Sequence, residues 1–393
     1  MISNRQLFLQ HVAQTSDAPL SLELERADGV YLFDKSGKKY LDLISGISVS
    51  ALGHCNPIVV KAVEEQLKHY MHLMVYGEYI LSPQVKLAKR LCEVLPKNLN
   101  NVYFTNSGTE AVEGAMKLAK RFTGRTELVA FKKAYHGSTQ GALSLIGSED
   151  MKRAFRPLLP DTKSLRFNNT DDLSEITTQT AAVICEVVQG EAGVIVADAN
   201  FLTSLRKRCD ETDTLLIFDE VQTGYGRTGK LFAFEHYGIV PDILLLAKSF
   251  GGGLPLGAFI SSEEIMSSLK TNPVLGHITT FGGNPVCCAA GLATLNALLD
   301  KDLINQVAAK ERIFKQLLVH PKIKIFRSKG LLMALELDSF EANKKLIDFC
   351  IENGVITDWF LFASNCMRIA PPLIITEEEI RYSCSIILKG LDK

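Results

Sequence analysis

The order of apolar runs predicts an α/β fold, in which a mainly parallel sheet covered by helices is followed by a smaller α+β domain. Three observations carry this. Short apolar runs at 102–104, 128–131, 182–188, 215–218 and 243–246 are separated by helix-like or loop segments. The first and last of these runs break into turns of small residues, Thr105 to Ala111 and Lys248 to Gly257. After about Thr280 the alternation changes: helices from Pro285 to Leu299 and around Ile304 to Leu318 lead into a strand at 330–337 and a closing helix–strand–helix tail.

Taken in order, the first twenty residues read as a short helix and a polar connector. Gly29 to Asp34 and Lys38 to Leu43 read as two strands around a glycine-containing turn. A helix from Asn56 to about Tyr70 follows, with Asn56 as its cap, Pro57 at its first position and Val59, Val63 and Leu67 at helical spacing. The aromatic cluster between Met71 and Tyr79 reads as a loop. The strand at 102–104 runs into Thr105-Asn-Ser-Gly-Thr-Glu-Ala111, and the next helix carries Val112, Ala115, Ala119 and Phe122 on one face before stopping at Gly124. Strand, small-residue turn and helix together offer free backbone N–H groups and hydroxyls to an anion. The same residues also suit an ordinary capped helix, because Ser107 or Thr109 can fill that role.

Residues 243–257, ILLLAKSFGGGLPLG, place one lysine just past the end of a buried strand. Open α/β sheets keep their ligands at that edge. Lys248 is either a surface lysine whose stem covers the strand or an amine of lowered pKa, the side chain that makes imines with carbonyls.

Composition narrows the function. With 43 basic and 44 acidic residues the net charge is −1, and no basic block points to nucleic acid or an anionic membrane. No apolar run approaches the roughly 18 residues of a membrane span. The amino terminus has no basic start, apolar centre and cleavage site of a signal peptide, so a cytoplasmic enzyme is expected. The nine scattered cysteines make no disulfide framework. Neither Cys287-Cys288 nor His54-Cys55 has metal-ligand spacing, and no metal is expected. Leu215 to Glu220 and Gly224-Tyr-Gly-Arg-Thr-Gly229-Lys230 imitate the two nucleotide motifs of P-loop ATPases. Leu231, however, stands where the magnesium-binding hydroxyl belongs, and the two pieces come in the wrong order, too close to be separate strands of one site.

The ordered set NSGTEA, YHG, QGEAG, FDEVQTGYGRTGK, LAKSFGGGLPLGA and TTFGGNP resembles the class III (omega) aminotransferases, in the branch of acetylornithine, ornithine and 4-aminobutyrate aminotransferases. The resemblance covers nearly the whole chain and implies the fold type I architecture of pyridoxal-phosphate-dependent transferases. That architecture has a seven-stranded, mainly parallel sheet in a large domain at 51–284, and a small α+β domain formed by 285–393 with help from 1–50. It implies Lys248 as the imine lysine and proton carrier, with the Asp219 carboxylate favouring a protonated pyridine nitrogen. Tyr135 and Val221 match the residues on the two ring faces, and Gln222 the partner of the ring hydroxyl. His136 and Glu186 match further cofactor-pocket positions, and Ser107, Gly108 and Thr109 the phosphate turn. Thr280 matches a threonine that reaches the phosphate of the neighbouring subunit, which makes a homodimer the minimum unit. Arg368 matches the carboxylate-binding arginine and Glu191 its switchable partner. The implied reaction moves an amino group from an omega-amino acid or amine to a 2-oxo acid, 2-oxoglutarate in the first place. A decarboxylase, aminomutase or epimerase of the same fold is the alternative. Ser138 replaces the arginine common after the YHG of acetylornithine and ornithine enzymes, which leaves the donor open.

Overall fold

A computed structural model of the protein describes residues 2–393. Its centre is a seven-stranded sheet, whose strands in chain order are β1 (Asn101–Thr105), β2 (Glu127–Phe131), β3 (Thr162–Leu165), β4 (Thr180–Cys185), β5 (Leu215–Asp219), β6 (Ile243–Leu246) and β7 (Gly257–Ser261). Their spatial order is β1-β7-β6-β5-β4-β2-β3. Strand β7 runs antiparallel to β6 and β1, while the other pairings are parallel. The apolar runs of β5 and β6 are continuous because both faces are covered. Leu215, Ile217, Ile243 and Leu245 pack against helix α1 (Gly108–Thr123), and Leu216, Phe218, Leu244 and Leu246 join the core on the opposite face.

The sequence pattern located β1, β2, β5 and β6 to within about a residue or two. It missed β3, a short strand with little apolar character, and β7, whose antiparallel course needs only the glycine-rich loop after β6 and no crossover helix. The run expected over 182–188 ends at Cys185, and Val188–Gln189 instead pairs with Ile195–Val196. Phe122, expected on the buried face of α1, is 39% exposed. Ten residues at about 100° each carry it to the edge of the stripe set by Val112.

Two further sheets bring the chain ends together. Leu24–Asp28, Tyr31–Asp34 and Lys39–Asp42 form antiparallel strands, and Val355–Ile356 adds in parallel to the last of them. Ile325–Lys329, Leu332–Glu336, Ala363–Ile369 and Trp359–Phe360 form a second antiparallel sheet. Arg227, in the segment that imitates a phosphate loop, is fully buried and donates to the carbonyls of Leu331 and Pro371. Burial holds its pKa down to about 10. The segment after β5 is thus fastened to the carboxyl-terminal strands and binds no phosphate through this arginine. Among the described residues no helix is long and apolar enough to cross a membrane, and no cluster of His, Cys, Asp and Glu is arranged to hold a metal.

Helix α1 sits so close to the sheet that a Cβ on Gly114 would lie 2.2 Å from Cε1 of Phe259. Gly114→Ala is expected to lower stability by about 1–3 kcal/mol through overpacking, against the usual gain of alanine in a helix. Urea denaturation checks the sign, and a stabilised variant would contradict it.

Candidate active site

The carboxyl ends of β1, β2, β4, β5 and β6 open into one cavity of about 480 Å³. Its wall contains Ser107, Gly108, Thr109, Tyr135, His136, Glu186, Glu191, Asp219, Val221, Gln222 and Lys248. Arg368 lies behind Glu191, outside the wall, and Thr280 is exposed and does not line the cavity.

The turn after β1 both caps a helix and lines the cavity. Ser107 caps α1, its Oγ accepting from the Glu110 N–H at 3.3 Å, and still lines the cavity together with the first helical residues. Gly108 is required by close packing, since a Cβ there would lie 2.9 Å from Cγ1 of Val221. The Thr109 hydroxyl is paired with that of Thr139 at 2.8 Å, and Thr139 donates to Glu113. This support was not read from the sequence, although its signal was the run of small hydroxyl residues after His136.

Asp219, 5% exposed, accepts from His136 Nδ1 at 2.8 Å and from the Val221 N–H at 3.0 Å. Burial alone would push His136 down, but the bond to Asp219 and its charge leave the imidazole above its ordinary value. Glu186 accepts the N–H groups of Tyr135 and Gly190 at 3.0 and 3.1 Å. Burial, opposed by His136, pushes its pKa up to about 7. The Tyr135 hydroxyl pairs with Ser138 Oγ at 3.0 Å.

Lys248 has a left-handed backbone, φ 53°, at the end of β6. Lost hydration holds its amine below the usual lysine range, with Glu191 opposing. Glu191 receives Nη1 and Nη2 of Arg368 at 2.9 and 3.0 Å and Nε2 of Gln222 at 3.3 Å. Burial would raise Glu191, but the guanidinium more than offsets it and holds the carboxyl below its ordinary value. Arg368, only 2% exposed, also gives its Nε–H to Asp358 at 2.8 Å. Asp358 belongs to no motif read above, and only the pairing of strands brings it to Arg368.

This geometry has counterparts in known proteins. The sequence model of the family described as Aminotransferase class-III matches residues 12–391. The chain is a class III aminotransferase. It is 40% identical to the acetylornithine aminotransferase of Methanopyrus kandleri, over 93% of this chain and 92% of that protein. It is 42% identical to the putrescine aminotransferase of Pectobacterium atrosepticum, over 91% and 79% respectively. Ornithine aminotransferase of Toxoplasma gondii, whose structure shows pyridoxal phosphate at partial occupancy in the active site, superposes with a TM-score of 0.91 at 30% identity, covering 99% and 94% of the two chains. The fold is that of the pyridoxal-phosphate-dependent aminotransferases, and pyridoxal phosphate is the cofactor of this aminotransferase.

The cavity of the aminotransferase fits that group. Among its wall atoms, His136 Nε2 and Gln222 Oε1 are buried with no hydrogen-bond partner, so polar groups there have capacity to spare. An amine, a carboxylate and a helix amino terminus stand at separate points of the wall, as a molecule with an aldehyde, a basic ring nitrogen and a phosphate requires.

The low pKa of Lys248 gives a stability test of the apoprotein. The folded amine titrates below its unfolded value, near 10.5. Folding therefore releases a proton, and stability rises with pH through the lowered folded value toward 10.5. Lys248→Met removes this cost. Its apoprotein is expected to resist urea better than wild type at neutral pH, with the gap closing as pH approaches the unfolded value. A gap that widens with pH would contradict the assignment.

Proposed function

We propose that this aminotransferase moves an amino group from a donor with a terminal amine to a 2-oxo acid, with 2-oxoglutarate as the acceptor. The series Lys248, Glu191, Arg368, running from the cavity wall inward, carries this assignment. A guanidinium bridged by a removable carboxylate serves two kinds of substrate. With Glu191 in place the site takes a chain without a second carboxylate, and with Glu191 aside Arg368 offers its fork to an acidic one. When bound, pyridoxal phosphate accepts the donor nitrogen and delocalises the electron pair left by proton removal. Lys248 holds the cofactor and then, as a free amine, moves that proton, and burial lowers its pKa, which favours the basic form. Asp219, steadied by His136, favours the charged form of the ring nitrogen. Tyr135 and Val221 enclose the ring, Gln222 faces its hydroxyl, Glu186 orders the Tyr135 loop, and Ser107, Gly108 and Thr109 receive the phosphate.

The working unit in this proposal is a homodimer in which Thr280 serves the neighbouring site. Ile80, Val274 and Phe281 near that region are 92%, 72% and 57% exposed, an apolar surface that a second copy would cover. Residues 51–284 form the large domain around the central sheet, and 285–393 with 1–50 form the small one, a division supported by the pairing of Lys39–Asp42 with Val355–Ile356. A cytoplasmic location accords with nine unpaired cysteines.

A panel of amino donors tested against 2-oxoglutarate and pyruvate examines the reaction. Arg368→Ala is expected to raise KM for 2-oxoglutarate by about ten-fold or more, the loss of a charge-assisted pair, and to spare pyruvate, which has no far carboxylate. Equal effects on both acceptors would refute the role of Arg368. Carbon dioxide release, or isomerisation without a second oxo acid, would refute amino transfer.

A further inference from the structure

Arg368 is held from two sides. Glu191 takes its Nη edge at 2.9 and 3.0 Å, while Asp358 takes Nε at 2.8 Å. The Trp359 carbonyl accepts a further N–H at 3.2 Å, and the guanidinium lies 4.4 Å from the centre of the Phe360 ring. Withdrawal of Glu191 therefore leaves Arg368 anchored, with its Nη edge open. Charge is the second consequence. Two carboxylates share one guanidinium, and Lys248 is the one lysine or arginine in the cavity wall, where Glu186, Glu191 and Asp219 also stand.

We propose that Asp358 is a positioning and specificity-determining residue, which tilts the site toward a donor whose far end is cationic, a diammonium compound, and against acidic ends. This deepens the amino-transfer reaction proposed above and rests on it. When a dicarboxylate enters, its carboxylate replaces Glu191 on Arg368, so those two attractions cancel to first order. What does not cancel is the net negative charge that the site gains, because Glu191 stays nearby when it moves aside, and Asp358 repels that added charge. The far ammonium of a diamine meets the opposite field. Asp358 is 28% exposed, so solvent weakens both effects without abolishing them.

Asp358→Asn keeps an oxygen that accepts Nε–H and removes only the charge. Two measurements on the holoenzyme read the result. Calorimetric titration with glutarate, a dicarboxylate that cannot be aminated, is expected to show binding about five-fold tighter than wild type. The ratio of kcat/KM for 1,4-diaminobutane to that for butylamine is expected to fall about five-fold. A purely structural defect would weaken glutarate binding as well, and shifts in the same direction, or no shift in either, overturn the proposal. Should wild type turn over neither amine, the donor reading fails with the reaction above, and glutarate affinity alone decides whether Asp358 opposes acidic ends.

Discussion

The contact between Asp219 and His136 is the constraint from which the site is built. A carboxylate 5% exposed at the end of a central strand is costly unless other groups replace its water, and here His136 Nδ1 and the Val221 N–H do so. Both partners come from the loops after β2 and β5, so the bond fixes two strand connections against each other. Once they are fixed, Tyr135 and Val221 stand beside Asp219 in one wall, and Glu186 closes the floor by taking the Tyr135 and Gly190 N–H groups. The parallel sheet makes this possible, because it sends the carboxyl ends of four neighbouring strands to one edge.

A second set of charges is balanced differently. Glu191 and Asp358 hold different edges of one guanidinium, so the pair nearest the cavity can open without leaving an uncompensated arginine behind it. A buried ion pair is weak evidence of stability, and its retention beside a ligand cavity accords better with switching than with support. The buried arginine of the loop after β5 shows the contrast. Arg227 has backbone carbonyls as its near partners and serves to fasten segments together, a role that needs no exchange.

Much of this was legible in the sequence. Strands β5 and β6 announce themselves as apolar runs ending in Asp219 and near Lys248, and α1 by its glycine stop and the small residues before it. The cavity gathers Ser107, Gly108, Thr109, Tyr135, His136, Glu186, Asp219, Val221, Gln222 and Lys248 because each stands at or past a strand end, and strand ends are what apolar runs report, whereas Thr280 and Arg368 lie outside its wall. Legibility stopped where a partner is supplied by pairing rather than by order. Asp358 reaches Arg368 only because strands 359–360 and 363–369 fold back on each other, Thr139 reaches Thr109 across a loop, and β7 pairs antiparallel after a turn that reads as irregular. Ser107 shows a further limit: its sequence context suits a cap or an anion turn, and it caps α1 while also lining the cavity.

Every role proposed for the cavity depends on Lys248 being the residue to which the cofactor is tied. Borohydride reduction of the holoprotein, followed by peptide mass spectrometry, tests it most directly. A single pyridoxyl group is expected on the peptide that contains Lys248, and none in Lys248→Ala. A pyridoxyl group on another lysine, or on none, would contradict it.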